Sequence, residues 1–321
     1  MENQNVSCRQ RMLSIQTLGW YHSTLGGEEN AEAAFSFARQ CGFEAIDYHF
    51  EGHYASTHIS KGITNPLYDK PLEALLAYFA PVRAAIDSQG MAISQAHGIY
   101  PICVPDNPEM NVYLLAVTEK LMEICRYLGC PSLVLHTIKE LDWEQHLQLL
   151  RKLIPAAVQT GVTLCVENMF IRGEDSIAPY FDALSACRLV DQLNEEAGKQ
   201  IFGVCLDVGH ANLSSRNIYQ DICTYGARLK CLHIHENDGV HDQHLLPYTQ
   251  KQPVAYKPYV DWPAFYEGLA KISYQGPINF EIHPAVAITP KELLQDIMKL
   301  SAAVGRYMRD CICAIEQSAA L

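Results

Sequence analysis

The chain has 321 residues, of which 49% are hydrophobic and 19% are charged, and its formal net charge is -12 at pH 7. This composition is typical of a globular protein and excludes a disordered one. The negative charge argues against a partner that is bound mainly through phosphates, because nucleic-acid binding requires a basic surface.

No apolar stretch approaches the roughly 18 uncharged residues that a transmembrane helix requires, so no membrane partner is expected. The first residues, MENQNVSCRQRM, are polar and lack the apolar segment of a signal peptide. The 12 cysteines form no CxxC pair, and several lie inside apolar runs. These features favour a cytoplasmic protein whose cysteines are reduced and packed as small hydrophobic side chains.

Short apolar runs alternate with longer amphipathic stretches along the chain. The short runs, many of them rich in Val, Ile and Leu, are typical of strands that are covered on both faces. The predicted strands are 12–17, 44–50, 91–97, 132–137, 162–168, 202–207, 229–235 and 278–283. The predicted helices are 28–42, 71–90 with a kink at Pro81, 111–129, 142–161, 182–197, 217–226, 263–271 and 290–309.

Eight strands that are each followed by a helix predict an α/β fold, a (β/α)8 TIM barrel, and the length fits a single domain over residues 1–321. A doubly wound open sheet is the structural alternative, but no GxGxxG motif or P-loop follows the first strand. Two longer loops, 51–70 and 236–261, follow the second and seventh strands. They leave the face on which barrel enzymes build their sites, so we expect a substrate cover there.

Six consecutive predicted strands carry an imidazole or a carboxylate at their C-terminal ends. These residues are His97, His136, Glu167, Asp207, His233 and Glu281, with His210, His235, Asp242, His244 and His283 nearby. For any one of them, an ordinary polar strand end, or for Asp207 a helix cap, is a sufficient explanation. Burying all of them at one rim would be costly without a cation to offset the repulsion and the loss of hydration. The pattern therefore predicts a site for a divalent metal: zinc, manganese, cobalt or magnesium.

Five motifs link the chain to a known superfamily. They are VENM (166–169), CLDVGHAN (205–212), HIHENDGVHDQHLLP (233–247), DW (261–262) and FEIH (280–283). Together they resemble the xylose isomerase-like barrels, which include sugar and sugar-phosphate isomerases and epimerases, with the type-IV AP endonucleases as relatives. The resemblance extends from the first strand to the last helix. It implies that the metal is held by Glu167, Asp207, His233 and Glu281, as in the ketose 3-epimerases, and that His210 hydrogen-bonds a substrate oxygen.

Such an enzyme would transfer a proton at the carbon next to a sugar carbonyl. Glu167 and Glu281 come from strands five and eight, across the barrel mouth from each other, so one could remove the proton and the other return it. The ketose 3-epimerases also place a glutamate after the strand-five ligand and an arginine after the strand-seven histidine. Here Glu174 is the candidate for that glutamate, but its spacing from Glu167 does not match the family pattern. The stretch directly after His233 contains no arginine. The sequence therefore leaves the sugar, its phosphorylation, and the choice between isomerase and epimerase open.

Two other functions remain as alternatives. The endonuclease relatives bind three zinc ions, and all nine positions that match their ligands are filled here. Five of these residues would then bind substrate or an additional metal: His97, His136, His210, Asp242 and His244. The acidic rim loop 236–261, whose only lysines are Lys251 and Lys257, argues against a phosphodiesterase of that kind.

The other alternative is a carbohydrate-binding relative that has lost catalysis. The presence of both candidate acid–base glutamates, Glu167 and Glu281, argues against it.

Four more residues near the first two strand ends have two interpretations each. Trp20, Tyr21, His49 and His53 either line the substrate pocket or pack in the core and loops. The expected partner is a small-molecule sugar, and the aromatic run at 256–262 would serve as a cover or a subunit contact. Because such barrels commonly form dimers or tetramers, a homo-oligomer is also expected.

Overall fold

The computed structural model describes residues 11–170, 182–250 and 259–319. The strands are β1 (Leu13–Gln16), β2 (Ala45–His49), β3 (Ala92–His97), β4 (Ser132–His136), β5 (Thr163–Glu167), β6 (Phe202–Asp207), β7 (Leu229–His233) and β8 (Ile278–Phe280). Within the described residues they form one parallel sheet in the order β7-β6-β5-β4-β3-β2-β1-β8. The sheet closes between β7 and β8, where the Ile234 amide donates to the Asn279 carbonyl at 2.9 Å. The predicted TIM barrel is therefore confirmed.

Helices follow the strands and pack around the barrel. They are α1 (Tyr21–Leu25), α2 (Ala31–Cys41), α3 (Ser56–Ser60), α4 (Pro66–Asp69), α5 (Leu72–Tyr78), α6 (Ala80–Gln89), α7 (Pro108–Leu128), α8 (Trp143–Arg151), α9 (Ile154–Thr160), α10 (Ala183–Ala197), α11 (Val208–Leu213), α12 (Ile218–Tyr225), α13 (Trp262–Lys271), α14 (His283–Ala287) and α15 (Leu294–Ala319). Short 3-10 helices occupy Gly27–Asn30, Phe50–Gly52, Gly226–Arg228 and Lys291–Leu293. In the part of the chain that is described, no helix is long and apolar enough to cross a membrane.

Two predicted helices are divided in the structure. The segment 71–90 forms α5 and α6, and the segment 142–161 forms α8 and α9. In each case a proline, Pro81 or Pro155, occupies the first turn of the second helix, where its missing N–H is tolerated. The last helix is longer than the predicted 290–309, because neither glycine nor proline follows Gly305 before α15 ends.

The barrel interior contains a layer of small apolar side chains just below the C-terminal rim. It is formed by Val134, Cys165, Cys205 and Cys231, which are all nearly inaccessible to solvent. The cysteines are free thiols, and the Sγ atoms of Cys165 and Cys231 lie 3.5 Å apart. They pack as small hydrophobic residues, as the sequence predicted. Above this layer, the barrel is polar.

Candidate metal centre and active site

The polar rim follows directly from the alternation of side chains along the strands. Residues two positions apart on a strand face the same side of the sheet. His136, Glu167, Asp207 and His233 each lie two residues beyond a member of the apolar layer, at the last position of β4, β5, β6 and β7. Glu281 follows the end of β8 directly. The closed barrel therefore brings these five side chains to one mouth.

Three of the four predicted metal ligands meet around one imidazole nitrogen. The Nδ1 atom of His233 lies 3.3 Å from Oε2 of Glu167 and 3.3 Å from Oε2 of Glu281. Asp207 is paired with His233 in the register of β6 and β7. Its carboxylate faces a different histidine, because Nε2 of His235 lies 3.0 Å from its Oδ1 atom. The structure therefore places Asp207 at the edge of this group.

Buried polar atoms in the group indicate that it fits a divalent metal. Oε2 of Glu167, Oε2 of Glu281 and both ring nitrogens of His233 make no hydrogen bond within the described residues. All three side chains are almost completely buried, so these atoms are also shielded from water. Buried polar atoms without partners are destabilising. Imidazole nitrogen and carboxylate oxygen are the ligands that zinc, manganese and cobalt accept, and ligation would satisfy Nδ1 of His233 and the two carboxylate oxygens.

A carboxylate inside the barrel orients the central imidazole. Oδ2 of Asp47, in the middle of β2, lies 3.5 Å from Nε2 of His233. Asp47 is itself held by hydrogen bonds from the side-chain amides of Asn279, at 2.7 Å, and Gln95, at 3.1 Å. A carboxylate behind a ligating histidine fixes the ring and raises its basicity. The sequence interpretation did not single out Asp47, although a carboxylate within a buried strand was a usable signal.

A second group lies on the β3 and β4 side of Glu167. Nε2 of His97 is 2.9 Å from Nε2 of His136, which is 3.1 Å from Oε2 of Glu167. These three residues are close enough together to hold a metal ion. The ring of His49 stacks on that of His97, with centroids 4.2 Å apart. Of the four residues that could have lined the pocket, His49 therefore reaches the barrel mouth.

A third group lies on the β6 and β7 side. It consists of His210, His235, Asp242 and His244, whose ligand atoms are again close enough to hold a metal. Nε2 of His244 is 3.3 Å from Oδ1 of Asp242, and Nε2 of His210 is 3.6 Å from Oδ2 of the same residue. The structure thus brings together all five residues predicted to bind substrate or an additional metal. They form two groups, one on each side of Glu167.

Asp207 caps a helix as well as facing the site. Its Oδ1 atom accepts a hydrogen bond from the backbone N–H of His210 at 2.6 Å, at the start of α11. The two interpretations of Asp207 from the sequence are therefore compatible. Gly209 in the same turn allows His235 to approach, because a Cβ atom there would lie 1.9 Å from Cε1 of that ring.

The two candidate acid–base glutamates have different proton affinities. Burial, with a contribution from the charges of Glu167 and Asp207, raises the pKa of Glu281 to about 7. Burial also acts on Glu167, but His233 and His136 outweigh it and hold the pKa of that carboxyl well below its usual range. One carboxyl is therefore ionised near neutral pH, while the other exchanges a proton there.

Other predicted residues do not reach the barrel mouth. The indole N–H of Trp20 donates to the Gln16 carbonyl at 2.6 Å, and Tyr21 packs edge-on against Tyr48, so both residues belong to the packed core. His53 faces a separate group of residues around Glu28. Glu174, Lys251 and Lys257 lie outside the described residues, as does part of the aromatic run at 256–262.

Sequence and structure comparisons relate the chain to known proteins. A family model described as xylose isomerase-like TIM barrel matches residues 35–302. The uncharacterized protein y4fM of Sinorhizobium fredii (strain NBRC 101917 / NGR234) is 27% identical over 259 residues, which cover 78% of this chain and 71% of the relative.

Solved structures with the same fold have lower sequence identity. The apo form of 3-keto-D-glucoside 4-epimerase YcjR from E. coli superposes with a TM-score of 0.63 at 18% identity, covering 92% of this chain and 99% of that chain. D-psicose 3-epimerase from Clostridium cellulolyticum H10, solved with D-tagatose, gives 0.66 at 16% identity, covering 93% and 99%. At these identities the superpositions show a shared fold. On the match of the family model, the chain belongs to the xylose isomerase-like TIM barrel family.

Proposed function

We propose that the protein is a divalent-metal-dependent sugar or sugar-phosphate isomerase or epimerase in which Glu167 and Glu281 transfer protons at a carbon next to a carbonyl. The observation that carries this proposal is the meeting of the two buried glutamates at one imidazole, each 3.3 Å from Nδ1 of His233. The names of the structures with the same fold, a 3-keto-D-glucoside 4-epimerase and a D-psicose 3-epimerase, favour this class of reaction.

The metal would be held by Glu167, Asp207, His233 and Glu281. When bound, it would supply Lewis-acid stabilisation of the negative charge that develops on the substrate carbonyl oxygen. Asp47 would keep the ring of His233 turned toward the glutamates.

The acid and base roles follow from the different environments of the two carboxyls. Burial raises the pKa of Glu281 to about 7 in the metal-free protein, so this carboxyl holds a proton more readily than Glu167 does. Glu167 is ionised and so is a proton acceptor. An isomerase would move the proton between neighbouring carbons, and an epimerase would return it to the opposite face of the same carbon.

His210 would bind a substrate oxygen. Its Nδ1 atom donates to the Asn168 carbonyl at 2.9 Å, and its ring lies 4.7 Å from that of Phe170, measured between centroids. Burial lowers the pKa of the imidazole, but Asp207, Asp242 and Glu167 raise it well above its usual value. The protonated ring would present Nε2–H as a donor toward a sugar hydroxyl or carbonyl.

A substrate panel tests the proposed reaction. Metal-free protein would be reconstituted with manganese, cobalt, magnesium or zinc and incubated in D2O with ketoses, aldoses, their phosphates, inositol derivatives and abasic-site DNA. We expect metal-dependent conversion of one sugar with deuterium at the carbon next to the carbonyl. Cleavage of abasic DNA without sugar turnover would overturn the proposal, and sugar binding without turnover would identify a non-catalytic relative.

A second candidate function is a metal-dependent phosphodiesterase. It is favoured by the two groups of potential metal ligands on either side of Glu167. The argument against it is that such an enzyme requires positive charge at its rim. The described part of the loop after β7 carries Glu236, Asp238 and Asp242 but no lysine or arginine. A nuclease needs cations at its rim to hold a strongly bent phosphate backbone. We therefore place the sugar enzyme first.

A further inference from the structure

A separate group of metal-ligating side chains lies on the outer side of β2. Along this strand His49 faces the barrel mouth, whereas Tyr48 points away from it and its hydroxyl reaches Glu28. Successive side chains of a strand point to opposite faces, so the surroundings of Glu28 are distinct from the candidate metal centre. Two histidines complete the group: His22 on α1 and His53, which follows the 3-10 helix after β2.

The ligand atoms of this group converge on one carboxylate oxygen. Oε1 of Glu28 lies 3.1 Å from Nε2 of His22 and 3.3 Å from Nε2 of His53. All three atoms lie within 4.8 Å of one another. Two atoms that ligate the same tetrahedral zinc ion, each at about 2.0–2.1 Å, stand roughly 3.3 Å apart. The two nitrogen-to-oxygen separations therefore match those of a metal site.

The number of polar groups around Oε1 of Glu28 also favours a bound cation over hydrogen bonds alone. The hydroxyl of Tyr48 reaches the same Oε1 atom and also lies 3.2 Å from Nε2 of His53, so two imidazoles and a phenol gather at one oxygen. The other oxygen, Oε2, accepts from Tyr78 at 3.1 Å. A carboxylate oxygen offers about two lone pairs, so Oε1 cannot accept from all three groups at once. A bound cation would use the lone pairs of both imidazoles instead of their protons.

The carboxylate of Glu28 is available as an anionic metal ligand. Burial raises the pKa of Glu28, but the hydrogen bonds from His22 and His53 outweigh it and hold the pKa below its usual range. Only 5% of its side chain is exposed, and the same is true of His53, whereas 29% of the His22 side chain is exposed. An ion would therefore enter from the His22 side and keep water as its remaining ligand.

Two glycines form a slot for the ring of His22. A Cβ atom on Gly27 would lie 2.7 Å from Cδ2 of the imidazole, and one on Gly52 would lie 2.8 Å from Nδ1. The ring of His53 is held edge-on against that of Phe79, with centroids 5.6 Å apart. Rings that are fixed by packing before a metal binds lose little freedom on ligation, which is a property of preorganised sites.

We propose that His22, Glu28 and His53 form a second metal site, which binds a divalent transition metal and joins the segments that follow β1 and β2. Two imidazole nitrogens and one carboxylate select zinc, cobalt or nickel over magnesium or calcium. Because α1 and the 3-10 helix after β2 both lie at the C-terminal side of the barrel, ligation would cross-link two loops of the rim.

The first test counts metal ions on the full-length protein. Wild type and the double variant His22→Gln/His53→Gln would be equilibrated with excess zinc, desalted and analysed by mass spectrometry of the metal content. We expect one zinc ion fewer per chain in the double variant. The control is His58→Gln, an exposed histidine on α3, which should bind as much zinc as wild type. Equal zinc content in the double variant and wild type overturns the proposal.

A second variant leaves every ligand in place. Gly52 has an ordinary backbone conformation, so Gly52→Ala is tolerated by the main chain, but its methyl group presses on the His22 ring. We expect the affinity of this site for zinc to fall by about tenfold or more, as when an orienting contact of a ligand is lost.

Zinc-edge anomalous diffraction of the wild type should show a peak between the Nε2 atoms of His22 and His53. Absence of that peak, or unchanged affinity in Gly52→Ala, contradicts the proposal.

Discussion

His233 and Asp47 face each other inside the barrel, with Nε2 of the imidazole 3.5 Å from Oδ2 of the carboxylate. They come from β7 and β2, which are not neighbours in the sheet. The contact turns the other ring nitrogen, Nδ1, toward Glu167 and Glu281. The geometry of the rim is therefore supported from within the barrel.

We expect Asp47→Asn to weaken metal binding without unfolding the protein. The new amide oxygen can still accept from Asn279, but it loses the charge that holds His233. Loss of such a contact reduces metal affinity about 10–100-fold. Competition with a chelator measures this, and Asp87→Asn, which removes an exposed carboxylate paired with Arg83, is the matched control. Wild-type affinity in Asp47→Asn would show that the contact is not functional.

Glu281→Gln should abolish turnover while leaving the sugar bound. The amide keeps the shape of the side chain but has no exchangeable carboxyl proton, so kcat should fall by about 10²–10⁴-fold. Glu167→Gln should have the same effect on kcat. Calorimetry would measure the dissociation constant of the sugar at saturating metal, with the exposed Glu292→Gln as a control for the change of charge. Turnover at the wild-type rate in Glu281→Gln would remove the assigned acid–base role.

Gly209→Ala should disrupt the pairing of Asp207 with His235. The added methyl group would lie 1.9 Å from Cε1 of His235, so the ring must move. Overpacking of this kind lowers the free energy of unfolding by about 1–3 kcal/mol. The double variant Gly209→Ala/His235→Ala removes the clash and should recover part of this loss, as measured by urea unfolding. A single variant as stable as wild type would show that the His235 ring moves aside at no cost.

Metal affinity should depend on pH in a way that reports which groups ligate. Metal-free Glu281 has a pKa of about 7, so binding below that pH displaces its proton. Affinity should then fall by about tenfold or more for each unit of acidification below that pH. Burial lowers the pKa of His233, but Cys205, Glu281 and Glu167 raise it well above its usual value, so affinity should continue to rise above pH 7. His97 and His244 have pKa values of about 9, because nearby carboxylates outweigh the effect of burial. If these histidines also bind metal, affinity for the additional ions should keep rising up to about pH 9.

Chelator competition across pH 5.5–9 distinguishes these cases. If affinity does not change with pH from 5.5 upward, metal binding does not displace a proton from Glu281, and Glu281 is not a ligand.

The parts of the site that could be predicted from the sequence are those that depend on the chain near each residue. Glu167, Asp207 and His233 stand at the last position of their strands, and the apolar runs predicted Asp207 at that position and the other two within two residues of it. Asp47 was missed because its contact depends on which side chains meet across the closed barrel. His53 was assigned to the pocket or to loop packing, but it joins the Glu28 group, because loop conformation is set by tertiary packing rather than by local pattern.

The sequence by itself determined the strands and which residues share a face of each strand, because the period of two along a strand is a local property. It also determined that several ligating side chains end at one rim, because parallel strands share a C-terminal edge. Only the tertiary structure decided how these residues divide into groups around Glu167, and that His235 pairs with Asp207. These contacts depend on barrel closure and strand register, which bring together residues far apart in the chain.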